Sequence, residues 1–161
     1  MRMPNNTQKV NEVATQLKLL SGFCDTGFAV ASHIRYTRPS LLYQTYSNEW
    51  IEHYSEKGYM LCDPVVHWGL THTGWVNWDT LVSKDPEGVL AAARAHGLFN
   101  GWTYSVGPRT SRTITGHTRS GPPFSEAEFA QIEVIVNKIH DLTDGFEHFP
   151  TGIQDGLRAL G

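Results

Sequence analysis

Between Tyr46 and Trp78 the chain concentrates Tyr46, Trp50, Tyr54, Tyr59, Trp68, Trp75 and Trp78 around Asp63-Pro64. Leu and Val would fill an ordinary core as well. Tyr and Trp instead combine large, rigid apolar area with one polar handle each, and a buried handle needs a partner. Aromatic walls with a carboxylate among them fit a pocket around a small, mostly apolar molecule that carries a few polar atoms.

The flanking segments supply a frame for such a pocket. Val10, Val13, Leu17 and Leu20 recur at three- and four-residue steps, which predicts a helix over 7–23. Residues 28–36 alternate, with Phe28, Val30, Ser32, Ile34 and Tyr36 expected on one face of a strand. A second strand is expected over 41–46. Asn48 reads as the N-cap of a helix over 49–57, stopped by Gly58. Asp63-Pro64 is a cap followed by proline at the first helical position, and Asp85-Pro86 repeats the device for a helix over 86–96. Strands are expected over 74–78, 101–106 and 112–118. Ser125 and Glu128 form a capping box for the last long helix, while 146–161 shows three glycines and weak periodicity, as a linker would. This order predicts an α+β fold, a five-stranded, mostly antiparallel sheet sandwiched by helices on both faces.

Composition narrows the function. A net charge of −3 with scattered Lys and Arg argues against direct DNA binding by this chain. Cys24 and Cys62 are expected as free thiols, and no secretory pattern or long apolar run marks the sequence, so a cytoplasmic protein without membrane contact is expected. The eight histidines show no helical zinc-pair spacing, and no nucleophile–base arrangement is legible; no metal site and no catalytic residue is expected.

The spacing Tyr46-x3-Trp50-x3-Tyr54-x8-Asp63-Pro64-x13-Trp78 resembles the ligand-binding domain of LuxR-type quorum-sensing receptors. The strings Trp50-Ile51-Glu52-His53-Tyr54, Gly58-Tyr59 and Gly97-Leu98 agree with it. The resemblance implies an α-β-α, GAF/PAS-like domain over 1–145 that binds an N-acyl-homoserine lactone, with no other cofactor. It implies that Trp50 donates to the lactone carbonyl, Asp63 accepts from the ligand amide N–H and Tyr46 donates to the acyl carbonyl. Tyr54 and Trp78 become walls. These roles suit the groups, since indole only donates, carboxylate only accepts and phenol does either. Leu41, Leu42, Ile51, Val65, Val66 and Leu70 are expected to wall the acyl chain.

A last-strand hydroxyl is also implied. Thr113, Thr115 and His117 compete for that place, with Thr115 preferred, and Trp102 is expected to shorten or bend the acyl pocket. Receptors of this type carry a helix-turn-helix domain after a linker, and the sequence stops after Gly161. Either the sequence is the sensory part of a regulator, or it is a receptor lacking the DNA reader, acting as a homodimer or as a heterodimer with a full-length receptor. A sensor of the same architecture for an aryl-acylated or non-lactone signal is the alternative.

Overall fold

A computed structural model describes residues 5–161. Helix α1 (Asn5–Ser21) leads into β1 (Gly27–Ile34) and β2 (Leu41–Gln44), then α2 (Asn48–Glu56) and α3 (Pro64–Thr71). β3 (Gly74–Asn77), α4 (Val89–Ala95), β4 (Trp102–Val106) and β5 (Arg112–Thr118) follow, and α5 (Glu126–Thr143) and α6 (Thr151–Arg158) complete the described chain. The strands form one antiparallel sheet in the order β2-β1-β5-β4-β3. Among the described residues no helix is long and apolar enough to cross a membrane.

The two faces of the sheet are filled differently. On one, α1, α5 and α6 press Val13, Leu20, Ile132, Val136, Ile139 and Leu157 against Phe28, Val30 and Tyr104, making a dense core. The other is covered by α2, α3 and α4, whose smaller cluster holds Trp50, Tyr59, Val89, Ala93 and Leu98. Helix α3 seats directly on β4 and β5, with Ser105 donating to the Gly69 carbonyl at 2.9 Å.

Several local expectations hold. Asp63 caps α3 through Oδ1, which accepts from the Val65 N–H at 2.8 Å. The Ser125–Glu128 capping box opens α5.

Others are corrected. Ser47, not Asn48, caps α2: it sits in extended backbone and its hydroxyl accepts from the Trp50 N–H, while Asn48 is already helical. Helix α4 begins at Val89 after Gly88 in the left-handed region, not at Pro86. Asp85 still serves that helix from outside, accepting from the N–H groups of Val89 and Leu90 at 2.9 and 2.8 Å.

The alternation expected for β1 fails after Ala31, where the pairing with β5 shifts register. His33 takes a φ of 50°, and this irregularity moves Ile34 to the side of Ala29 and Ala31. His33 is held there because its Nε2–H donates to the His140 carbonyl at 2.8 Å and its backbone N–H donates to Thr113. Tyr36 lies in a turn, 98% exposed.

The segment expected to be linker-like folds back on the domain. Phe146, Ile153 and Leu157 are buried, and Tyr43 donates to the Leu157 carbonyl at 2.9 Å. Its glycines mislead the sequence reading: Gly156 lies against Val10 of α1, where a Cβ would come within 2.8 Å of a methyl.

Candidate ligand-binding site

A cavity of about 450 Å³ lies between the sheet and helices α2, α3 and α4. Small residues make its floor, Ala29 and Ala31 from β1 and Gly116 from β5, with Ile34 and Ile114 beside them. Ile51, Val65, Val66, Val89, Leu90 and Ala93 form the helical walls. Of the expected wall, Leu42, Ile51, Val65 and Val66 line the cavity; Leu41 points into the dense core on the opposite face, and Leu70 is not a lining residue.

Asp63 is the charged centre of the site. It is 8% exposed, and its Oδ2 accepts from the Tyr54 hydroxyl at 2.8 Å while Oδ1 holds the helix cap. Burial pushes its carboxyl above the ordinary carboxylate range; the Tyr54 hydrogen bond and the N–H groups of Val65 and Val66 oppose that push. The phenols of Tyr46 and Tyr54 are pushed up, first by burial and further by the Asp63 charge, so both keep their protons and act as donors at neutral pH.

The other predicted residues line the same cavity. Trp50 is 5% exposed, its ring edge-on to Tyr54 at 5.7 Å and tilted against His96 at 5.2 Å. The Ser47 cap fixes Trp50 in the first turn of α2, and the four-residue step puts Tyr54 on the same face. The Tyr46 hydroxyl reaches over Gly116, where a Cβ would come within 2.8 Å of it. Among the described residues, neither the Trp50 indole N–H nor the Tyr46 hydroxyl has a protein acceptor, and both residues line the cavity. Trp78 lies on Gly101, and its own N–H is taken by Thr103 Oγ1 at 2.9 Å. It is therefore a wall and not a free donor.

Thr115 lines the cavity between Ile114 and Gly116, but its hydroxyl is already bonded within the protein. Period-two alternation along β5 turns the Thr115 hydroxyl away from the face that Ile114 and Gly116 present. Its hydroxyl donates to the Tyr104 carbonyl at 2.9 Å, accepts from the Tyr104 N–H and meets His117 Nε2 at 2.7 Å. Thr113 and His117 point the same way as that hydroxyl, bonded to His140 and beside Cys24 respectively. Trp102 also faces away from the cavity and packs on Phe129 of α5, so it does not shorten the pocket. Sequence reasoning missed the walls from α4 (Val89, Leu90 and Ala93), Ile34 and Ile114, and the small floor residues Ala29, Ala31 and Gly116. Only Gly116 carried a signal, since a lone glycine inside a strand marks a close approach.

A dense core on one face of an antiparallel sheet and a polar-anchored cavity on the other define a small-molecule-binding sensor domain. Residues 12–141 match the family model of the autoinducer binding domain, and the chain belongs to that family. It is similar to the transcriptional activator VanR of Vibrio anguillarum, at 31% identity over 72 residues, 44% of this chain and 30% of VanR. It is also similar to the regulatory protein SdiA of Escherichia coli, at 27% over 103 residues, 63% of this chain and 42% of SdiA. The solved structure of SdiA in complex with octanoyl-rac-glycerol superposes with a TM-score of 0.64 at 22% identity, over 91% of this chain and 62% of that one. The chain thus spans less than half the length of these two curated relatives and shares the SdiA fold.

Proposed function

We propose that the cavity encloses an N-acyl-homoserine lactone and that its occupancy is the signal read by a transcriptional regulator. The observation that carries this reading is the pair of unspent donors, the Trp50 indole N–H and the Tyr46 hydroxyl, beside the acceptor Asp63 in an otherwise apolar cavity. Trp50 donates to the lactone carbonyl, Asp63 accepts from the amide N–H and Tyr46 donates to the amide carbonyl. Tyr54 steadies the carboxylate and Trp78 closes the wall. Thr115 adds to the cavity lining while its hydroxyl stays bonded to Tyr104. A carboxylate has room for a further donor beside those it already holds.

In this reading the domain binds and does not turn over its ligand. It acts in the cytoplasm as a homodimer or with a full-length receptor, and DNA is read by residues outside this chain. Melting temperature measured with a panel of N-acyl-homoserine lactones tests the proposal. A shift that rises with ligand concentration is expected from linkage. No shift with any lactone refutes it, and lactone ring opening above background refutes the non-enzymatic part. Analytical ultracentrifugation with ligand present checks the dimer.

The molecule held by SdiA in its complex, octanoyl-rac-glycerol, has no lactone ring and favours a second reading. The same groups could serve a monoacylglycerol, with Asp63 accepting from a hydroxyl and Tyr46 donating to the ester carbonyl. Native mass spectrometry of protein from its own host separates the two by the mass that co-purifies.

A further inference from the structure

The two ends of the cavity differ. At the anchored end Trp50 and Asp63 are almost fully covered, and beside β5 the side chains of Ile34 and Ile114 shut the floor at 3% and 6% exposure. Toward the sheet edge, Leu42 lines the cavity with 47% of its surface in solvent. Gln44, Ser55 and Gly58 line it there too and are likewise exposed. β2 is the edge strand, and α2 does not seat on it as α3 seats on β4 and β5. A mouth therefore opens between the edge strand and the last turn of α2.

We propose that this mouth is the exit for the far end of a long acyl chain, making the domain a receptor for long-chain N-acyl-homoserine lactones. The inference rests on the lactone reading and adds the chain length. Tyr46, which marks the acyl carbonyl, and Leu42, at the mouth, are four residues apart on a segment that is strand as far as Gln44 and bends at Tyr46, a span of at most about 13 Å. A zigzag chain built from bonds of about 1.5 Å advances ~1.3 Å per carbon, so about ten carbons reach from one to the other. Shorter chains leave apolar wall uncovered. Longer ones pass between Leu42 and Ser55 into solvent without compressing the cavity. Among the described residues the side chains of Gln44 and Ser55 have no hydrogen-bond partner, so moving them aside breaks no bond.

Titration calorimetry with straight-chain N-acyl-homoserine lactones of increasing length tests this. Affinity is expected to rise about fourfold per methylene, the ~0.8 kcal/mol of a buried CH2, up to about ten carbons, and then to level off. A tenfold or greater fall beyond that length means a closed cavity and overturns the inference while leaving the lactone reading intact. The variant Gln44→Trp plugs the mouth. It is expected to lower the affinity for a tetradecanoyl lactone at least tenfold relative to that for an octanoyl lactone. An unchanged ratio places the exit elsewhere and overturns the inference. Failure of every chain length to bind overturns the lactone reading, and this inference with it.

Discussion

Gly116→Ala probes the anchored end of the cavity with a single methyl group. The new Cβ would stand 2.8 Å from the Tyr46 hydroxyl and 3.3 Å from Trp78 Cζ2, against an ordinary contact of about 3.5 Å or more. The hydroxyl must therefore retreat by roughly 0.7 Å. It can do so because it tips a side chain that borders a cavity of about 450 Å³. The fold should lose less than the ~1–3 kcal/mol usual for overpacking a filled core. Binding should lose the Tyr46 hydrogen bond, a net ~1 kcal/mol, or about a fivefold weaker Kd. Calorimetry with a decanoyl lactone gives the second quantity and a urea melt the first. Tyr46→Phe alone should cost a similar factor, and the double variant little more than either, because both remove the same bond. Unchanged affinity in Gly116→Ala, or fully additive losses in the double variant, would refute the placement of Tyr46 over Gly116 as the ligand's donor.

Three further outcomes are expected. Asp63→Ala should abolish the lactone-induced melting shift and also lower stability by about 1 kcal/mol in a urea melt, because the α3 cap goes with the carboxylate; loss of one effect without the other would separate the two roles. Burial holds His117 at about 3 in the fold, against an ordinary 6.5, so the unfolded chain binds more protons between those values and stability falls as pH drops, by up to ~1.4 kcal/mol per pH unit. His140 is lowered in the same direction, first by burial and then by neighbouring His33. Urea midpoints at pH 7 and pH 5 should show the decline, and His117→Leu should flatten it; a flat profile in the parent protein would refute a buried neutral His117. Gly156→Val should destabilise by roughly 1–3 kcal/mol through the clash with Val10, whereas a tail behaving as a linker would tolerate it.

The features legible in the sequence were those that local chemistry decides. Asp63-Pro64 announced its helix because a cap and a first-turn proline act on neighbouring backbone, and the Trp50–Tyr54 step needs only helical periodicity. The face of β5 was not legible in the same way. Thr115 does line the cavity, but the direction of its hydroxyl depends on the parity of the sheet, which rests on Ala29 and Ala31 standing opposite Gly116 and Ile114 on the neighbouring strand. The break at His33 was hidden for a related reason: a histidine is kept at positive φ by Thr113 and by His140, more than 100 residues downstream. Cavity floors escape such reading almost by nature. Alanine and glycine look neutral along a chain, and what they do here is leave space.

The carboxylate of Asp63 answers to two masters, a helix end through one oxygen and the cavity through the other. A helix start favours negative charge, which opposes the upward push that burial gives this carboxyl. Whatever donor approaches Oδ2 from the cavity therefore pulls on the first turn of α3, and α3 is seated on β4 through Ser105 and Gly69. In the proposed lactone reading, the ligand's amide and the seating of a helix on the sheet are thereby mechanically joined. In that reading the atom that registers the ligand already belongs to the scaffold that would have to carry the news.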